Sequence, residues 1–484
     1  MKESSPYFAD IHVHSTLKSF NSGYPDPERT IWDDVDHAQG KTNPAKLIFN
    51  NSKEVAKYSQ SNFYQLARGN VRVATVSLYP LEKGFLEMRN ISKAVTNARA
   101  RDEMAMVITG YHLDAIRHIR KHNDYFAELQ AEYRYIFDQQ GASPDGKYFF
   151  KLVNNYSELD NLISNHNNSL GIVLSIEGGH VFFDEKMLSG KLSKQEFKKS
   201  LTENIQAVKA WEVPPFTINL CHHFYNGLCG HAKSFSGFLG VGLLNQIKGL
   251  ETNLTGLGIK AMKELLSNNN GKRILIDTKH MSLAGRKELY NWIRSYNYLS
   301  KYDKIPIICS HTGVNGFKTM AGSLLQPDNN KKISKSHFNR WSINLSDEEI
   351  NIIHETGGLI GLMLDKYKLG GGKFFDSIRN ITDEAKLRDK YAEIFMDNAF
   401  QVVHAVGSKS AWDIITLGSD YDGAISHVDF YDNSSTIPKL HHDLVDFLQR
   451  TRYGYTYWHG YTPEELIDKI LRKNVMDFYA RHFV

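Results

Sequence analysis

Eight short, apolar, β-rich runs punctuate the chain, and segments with helical spacing fill the gaps between them. The runs are Tyr7–Ile11, Val71–Leu78, Gly171–Ile176, Phe216–Leu220, Arg273–Ile276, Ile305–Cys309, Gly358–Met363 and Asp413–Leu417. Several are apolar at consecutive positions instead of alternating, as strands covered on both faces must be. The helices between them announce their starts. Ser346-Asp347-Glu348-Glu349 is a capping box ahead of Ile350, Ile352 and Ile353. Thr462-Pro463-Glu464-Glu465 repeats the device with proline at the first helical position. Strands alternating with helices predict a parallel sheet, and eight such units predict a closed barrel. The expected fold class is therefore α/β, a single (β/α)8 TIM-type barrel with helical insertions.

Spacing locates the insertions. About ninety residues separate the second and third runs and about fifty the seventh and eighth, far more than ordinary connections need. Insertions are expected at approximately 19–60, 90–165 and 365–410 within one domain spanning 1–484. They are candidates to line a pocket or to make a subunit contact in a homodimer. Hydrophobic residues at 41% and charged residues at 23% belong to an ordinary globular protein. The net charge is +4 with the two signs interspersed, which argues against a nucleic-acid partner. The one dense basic run, Lys331-Lys332 with Lys335, reads as a solvated loop. Cys221, Cys229 and Cys309 are too few for a disulfide framework and read as reduced thiols. No apolar signal core precedes the first run and no stretch is long enough to cross a bilayer, so the reading is a soluble, cytoplasmic protein with no membrane partner.

Residues of metal-binding type follow the apolar runs with regularity. The first ends in Asp10-Ile11-His12-Val13-His14, the third in Glu177-Gly178-Gly179-His180, and the fourth in Cys221-His222-His223. The fifth ends in Asp277-Thr278-Lys279-His280, the sixth in Ser310-His311, and the eighth in Gly418-Ser419-Asp420-Tyr421-Asp422-Gly423. Side chains at the C-terminal rim of a barrel converge on its axis. His12 and His14, two apart on a strand, face the same side. Glu177 follows an apolar run, where an unpaired carboxylate would be costly, so a cation is its expected partner. Each motif taken singly is compatible with a capping or core residue; six at six strand ends point to one metal site. His118 and His122 lack the glutamate of a zinc protease helix, and Gly370-Gly371-Gly372 lacks the lysine of a phosphate loop. No Gly-x-Ser-x-Gly elbow is present.

In these motifs and their order, from Asp10 to the final helix, the sequence resembles the membrane (renal) dipeptidase family of the amidohydrolase superfamily. Glu177-Gly178-Gly179-His180 is the most specific element, supported by His222 with Asn226, by Asp277 through Ser282, and by Gly418 through Gly423. The resemblance implies a metallopeptidase that hydrolyses a dipeptide or similar small amide through a hydroxide bridging two divalent metal ions, usually zinc. It implies that Glu177 bridges the metals, that His12 and His14 complete one with Asp420 close by, and that His280 and His311 hold the other. Asp420 would also act as the proton shuttle. His222 would face the substrate and stabilise the developing oxyanion, with Asn226 in the same substrate-binding loop.

Two departures are visible. The family has Asp where this chain has His14, and it has a carboxylate-gripping Arg where this chain has Ile343. Arg340, three residues earlier, is the candidate replacement, since a guanidinium can hold a carboxylate with two parallel hydrogen bonds. The competing readings are hydrolysis of a cyclic amide, lactone or phosphoester, and a non-catalytic ligand-binding barrel. The opening Asp10-Ile11-His12-Val13-His14-Ser15 also resembles the first motif of polymerase-and-histidinol-phosphatase phosphoesterases.

Overall fold

The computed structural model describes residues 7–36, 38–51, 57–88, 97–235, 243–324 and 336–484. The basic run at Lys331, Lys332 and Lys335, and parts of the first two expected insertions, lie outside the described residues. Among the described residues, eight parallel strands form the barrel part of a ten-stranded sheet: β1 Phe8–Val13, β2 Val71–Leu78, β3 Ser169–Glu177, β4 Thr217–Asn219, β5 Leu275–Asp277, β6 Ile308–Thr312, β7 Leu359–Leu362 and β8 Ile415–Leu417. They are hydrogen-bonded in that order, the pattern of a (β/α)8 barrel. Every residue of β1, β2 and β3 is buried, which is why these runs read as continuously apolar.

Closure occurs at the C-terminal rim. The Asp420 N–H donates to the His12 carbonyl at 3.0 Å and the His14 N–H donates to the Tyr421 carbonyl at 2.9 Å. The link between first and last strands is therefore made by residues of two predicted site motifs.

Each predicted run overlaps a strand, but four strands extend past the run's polar boundary, β3 by Glu177, β5 by Asp277, and β1 and β6 by more. β1 continues through His12 and β6 through His311. A polar side chain remains in the ladder when it faces the barrel interior and finds partners there. The run at Asp413 starts later than expected, because Lys409–Ile414 is a short 3-10 helix ahead of β8. Both capping boxes form. The Glu349 carboxylate accepts the Ser346 N–H at 3.0 Å and the Glu465 carboxylate accepts the Thr462 N–H at 2.8 Å.

The long connections are not purely helical. Between β2 and β3 lie helices Ala98–Thr109, Leu113–Lys121, Tyr125–Asp138 and Tyr156–Asn165, and also an antiparallel hairpin, Gly141–Ala142 with Phe149–Leu152. Its second strand runs parallel to the first half of β3, pairing Phe149 with Ser169 and Leu152 with Ile172. The short β4 pairs only with Ser175–Glu177. The hairpin thus satisfies backbone groups that β4 leaves open. Within 365–410, the helix Glu384–Val406 packs on Asp347–Glu355 in the outer ring.

A main core fills the barrel and its helical ring, and a second apolar cluster joins Leu17, Phe20, Leu81, Met104, Val107 and Leu243. That second cluster grows from segments leaving the C-terminal ends of β1 and β2, so it roofs one side of the rim. Among the described residues no helix is long and apolar enough to cross a membrane.

One buried ion pair ties two ring helices together. Arg286 Nε of Leu283–Leu299 lies 2.8 Å from Glu349 Oε1 of Asp347–Glu355, both side chains fully buried. Arg286→Met, which removes the cation paired with the Glu349 carboxylate, should cost about 3–5 kcal/mol, and adding Glu349→Gln, which removes the charge and keeps an acceptor for the Ser346 N–H, should recover part of it. Urea denaturation midpoints check this; equal midpoints for the single and double variants would show that the pair is not coupled.

Candidate active site

The rim motifs converge on the Glu177 carboxylate at the end of β3. Glu177 Oε1 lies 3.1 Å from His280 Nε2, 3.5 Å from His311 Nε2 and 3.6 Å from His12 Nε2. Oε2 lies 2.9 Å from His14 Nε2 and 3.4 Å from His222 Nε2. Asp420 approaches from the β8 end, with Oδ1 3.6 Å from His14 and Oδ2 3.9 Å from His311. All seven side chains are buried. Of the residues read from sequence, His12, His14, Glu177, His222, His280, His311 and Asp420 therefore share one centre.

Two residues do not join it. Asn226 donates to the Leu220 carbonyl at 2.7 Å and accepts the Leu228 N–H at 2.9 Å, so its amide braces its own loop. It lines a cavity of about 440 Å³ alongside Glu82, Tyr125 and His180. Arg340 is exposed and stacks its guanidinium 4.7 Å from the Phe317 ring. It is not among the residues lining the pocket of Asp420, His280 and Ile343. Arg340 therefore does not stand in for a guanidinium at the position of Ile343.

The imidazoles fall into two pairs around the shared carboxylate. His12 and His14 bring their Nε2 atoms to 3.2 Å, and His280 and His311 bring theirs to 3.1 Å. A tetrahedral ion with nitrogen ligands at ~2.0–2.1 Å spaces two of them ~3.3 Å apart. His12, His14 and Glu177 make one group able to hold a cation, and Glu177, His280 and His311 make another. Glu177 Oε1 makes no hydrogen bond despite its burial.

Electrostatics favour the same reading. Burial, reinforced by His222, pushes His280 down to about 3. Burial and His12 likewise hold His311 well below the ordinary range, and burial lowers His12. These rings are neutral, as metal-ligating imidazoles must be. Burial opposes charge on His14, but Glu177, Asp420 and Glu132 outweigh it and raise it to about 9. Burial and the nearby Glu177 push Asp420 well above the carboxylate range. His14 therefore carries the positive charge that balances Glu177, and a cation bound there would displace its proton and free Nε2 as a ligand.

Backbone pins hold the clustered side chains. Asp10 Oδ1 accepts the N–H of His12 at 3.1 Å and of Ser419 at 3.0 Å. Asp277 Oδ1 accepts the N–H of Lys279 at 3.0 Å and of Ser310 at 3.1 Å. Each carboxylate thus staples one rim turn to a neighbouring strand. Ser310 Oγ sits 2.8 Å from His311 Nδ1, leaving Nε2 to face the centre. His280 and Asp420 adopt the left-handed backbone at φ 66° and 62°, an uncommon conformation for residues other than glycine and one that recurs at functional sites.

Glu82, four residues beyond the end of β2, was not among the predicted residues. It accepts from His222 Nδ1 at 2.8 Å and from the N–H groups of His223 at 3.1 Å and Phe224 at 3.0 Å. Burial opposes its charge, but His222 outweighs it and brings Glu82 to about 2. His222 is thereby oriented with Nε2 towards the centre. The only trace in the sequence is an acidic residue shortly after an apolar run, a signal too common to select it.

No protein-family model matches the sequence, and no curated protein matches it. Among solved structures, the chain is similar to dipeptidase AC, a metallopeptidase of family M19, with a TM-score of 0.50, 14% identity, and 99% of each chain covered. It is also similar to a Pseudomonas aeruginosa amidohydrolase, with a TM-score of 0.45, 15% identity, and 91% of this chain and 99% of that one covered. A Rhodobacter sphaeroides metallopeptidase liganded with a phosphinate mimic of the dipeptide L-Ala-D-Ala gives a TM-score of 0.47 and 14% identity, covering 93% of this chain and 100% of that one. At such identities it is the fold that is shared, and with dipeptidase AC it is shared along the whole chain.

Gly178 has φ 101°, and a Cβ there would stand 2.5 Å from the His180 ring and 3.4 Å from His222 Cβ. Gly190 has φ 72° with open space around it. Thermal unfolding should show Gly190→Ala costing about 1 kcal/mol and Gly178→Ala at least ~2–3 kcal/mol. Equal losses would mean that the Glu-Gly-Gly-His turn has room to spare.

Proposed function

We propose that this chain is a metal-dependent hydrolase of the amidohydrolase type that cleaves the amide bond of a dipeptide or a similarly small peptide-like substrate. The observation that carries the reading is Glu177 shared between two imidazole pairs, with Asp420 beside both. The donor set of nitrogens and carboxylate oxygens suits zinc. Two divalent cations held by His12, His14, Glu177, His280 and His311 would supply Lewis-acid polarisation of the scissile carbonyl and a nucleophile at neutral pH. The barrel shared with a dipeptidase along the whole chain supports the same assignment.

The chain's own residues supply the rest. Asp420, within 3.6 Å of His14 and 3.9 Å of His311, is placed to take a proton from the attacking water and deliver it to the leaving amine. His222, oriented through Nδ1 by Glu82 at 2.8 Å, offers Nε2 to the carbonyl oxygen as charge develops there. The burial of these groups excludes bulk water and strengthens each interaction.

Zinc reconstitution of the chelator-treated protein should yield release of free amino acids from a mixed L,L and L,D dipeptide panel, lost again on chelation. Intact metal uptake without turnover of any dipeptide would reject the substrate class. Asp420→Asn should lower kcat by about 10²–10⁴-fold while retaining most of the zinc. Glu177→Gln should instead lower the zinc content itself, measured per chain by elemental analysis. Near-normal activity of Asp420→Asn would remove Asp420 from the proton path.

A further inference from the structure

Two lysines line the pocket beside the ligand cluster and have no part in the chemistry above. Lys279 precedes the ligand His280 and is only 1% exposed, yet its Nζ makes no hydrogen bond. Among the described residues no carboxylate stands within ion-pairing distance of it. Lys368 is 8% exposed. Its Nζ donates to the Ser234 carbonyl at 2.9 Å and lies 5.0 Å from the Trp341 ring, which leaves two of three donor hydrogens for another acceptor. Both lysines line one pocket with His280, Asp420, His223 and the apolar Ile343.

A buried ammonium without an acceptor is costly, and a second cation lining the same small space adds repulsion. Neither side chain sits there by slack in the backbone. The Lys279 N–H is pinned by Asp277, and the Lys368 N–H by Asp365 at 3.1 Å. The pocket holds about 30 Å³, close to the share of one small polar group. A space of that size suits a small terminal group. Resting on the dipeptidase-like reading above, we infer that Lys279 and Lys368 form a subsite for the terminal carboxylate of the substrate, set beside the bond that is cleaved. The compact ammonium groups supply point charges, and the apolar wall of Ile343 keeps water from competing.

The test compares dipeptides carrying a free C-terminal carboxylate with the same dipeptides amidated there, on the zinc-loaded full chain. The wild-type protein should show a KM at least tenfold higher for the amides. Lys279→Met and Lys368→Met should each raise KM for the free acids about tenfold, spare kcat, and bring the acid-to-amide ratio towards one. Lys279→Arg, which keeps the charge, should restore part of that ratio, and melting temperatures identify any variant that fails to fold. Wild-type acid-to-amide ratios in both methionine variants would overturn the subsite.

A second readout does not need turnover. Calorimetry should show alanine binding more tightly than alaninamide to the wild-type protein, with the difference lost in Lys279→Met. If no dipeptide is cleaved, the reaction assignment fails while this binding difference still reports on the subsite. Inorganic phosphate binding in preference to acetate, with that preference lost in Lys279→Met, would overturn the carboxylate assignment in favour of a phosphoester substrate.

Discussion

A single carboxylate organises the molecule's chemistry. Glu177 ends β3 buried, with five imidazole nitrogens within 3.6 Å. An isolated carboxylate in that position would protonate or force its neighbourhood apart. Burial does oppose its charge, yet His222, His12 and His14 outweigh burial and hold Glu177 well below the ordinary carboxylate range. The negative charge therefore persists at the barrel axis, and each ring around it is positioned by the need to face that charge.

The rim is built to keep those rings in place. Asp10 and Asp277 do the same job at two strand ends, each gripping the N–H two residues on and an N–H of the next strand. Asp422 adds a third pin: it takes the Ser61 N–H at 2.8 Å and pairs with Lys18 Nζ at 2.9 Å. The segment that follows β1 is thereby tied to the turn that carries Asp420. Such anchors oppose the strain of a left-handed backbone at His280 and Asp420, so the uncommon geometry is held by contacts made before any ligand arrives. Function and fold meet in one place, since the hydrogen bonds that close the barrel run through His12, His14, Asp420 and Tyr421.

Much of this was legible in the chain. Continuous apolar runs follow from two-sided burial, and capping boxes depend only on residues three apart, so strands and helix starts could be read locally. The ligand residues could be read because barrels present strand ends to one axis. The ends of β1 and β6 were harder. His12 and His311 look like the end of an apolar run, yet they stay in the ladder because Glu177 reaches both rings from β3 and Ser310 meets the Nδ1 of each. The hairpin at Gly141–Leu152 was likewise missed, because the reason for it is the shortness of β4, far along the chain.

The sequence by itself determined which chemistry is available: imidazoles and carboxylates at successive strand ends, on an α/β barrel, with no charge at Ile343. Those properties reside in residue type and in periods of a few residues. Tertiary structure alone decided which of these groups share a centre and which do not. It set Glu82 behind His222, turned Asn226 into a loop brace, left Arg340 at the surface over Phe317, and brought Lys279 and Lys368 to one pocket. Glu82 and His222 lie 140 positions apart, and Lys279 and Lys368 lie 89 apart. Their meeting depends on barrel closure and strand register, which no local pattern encodes.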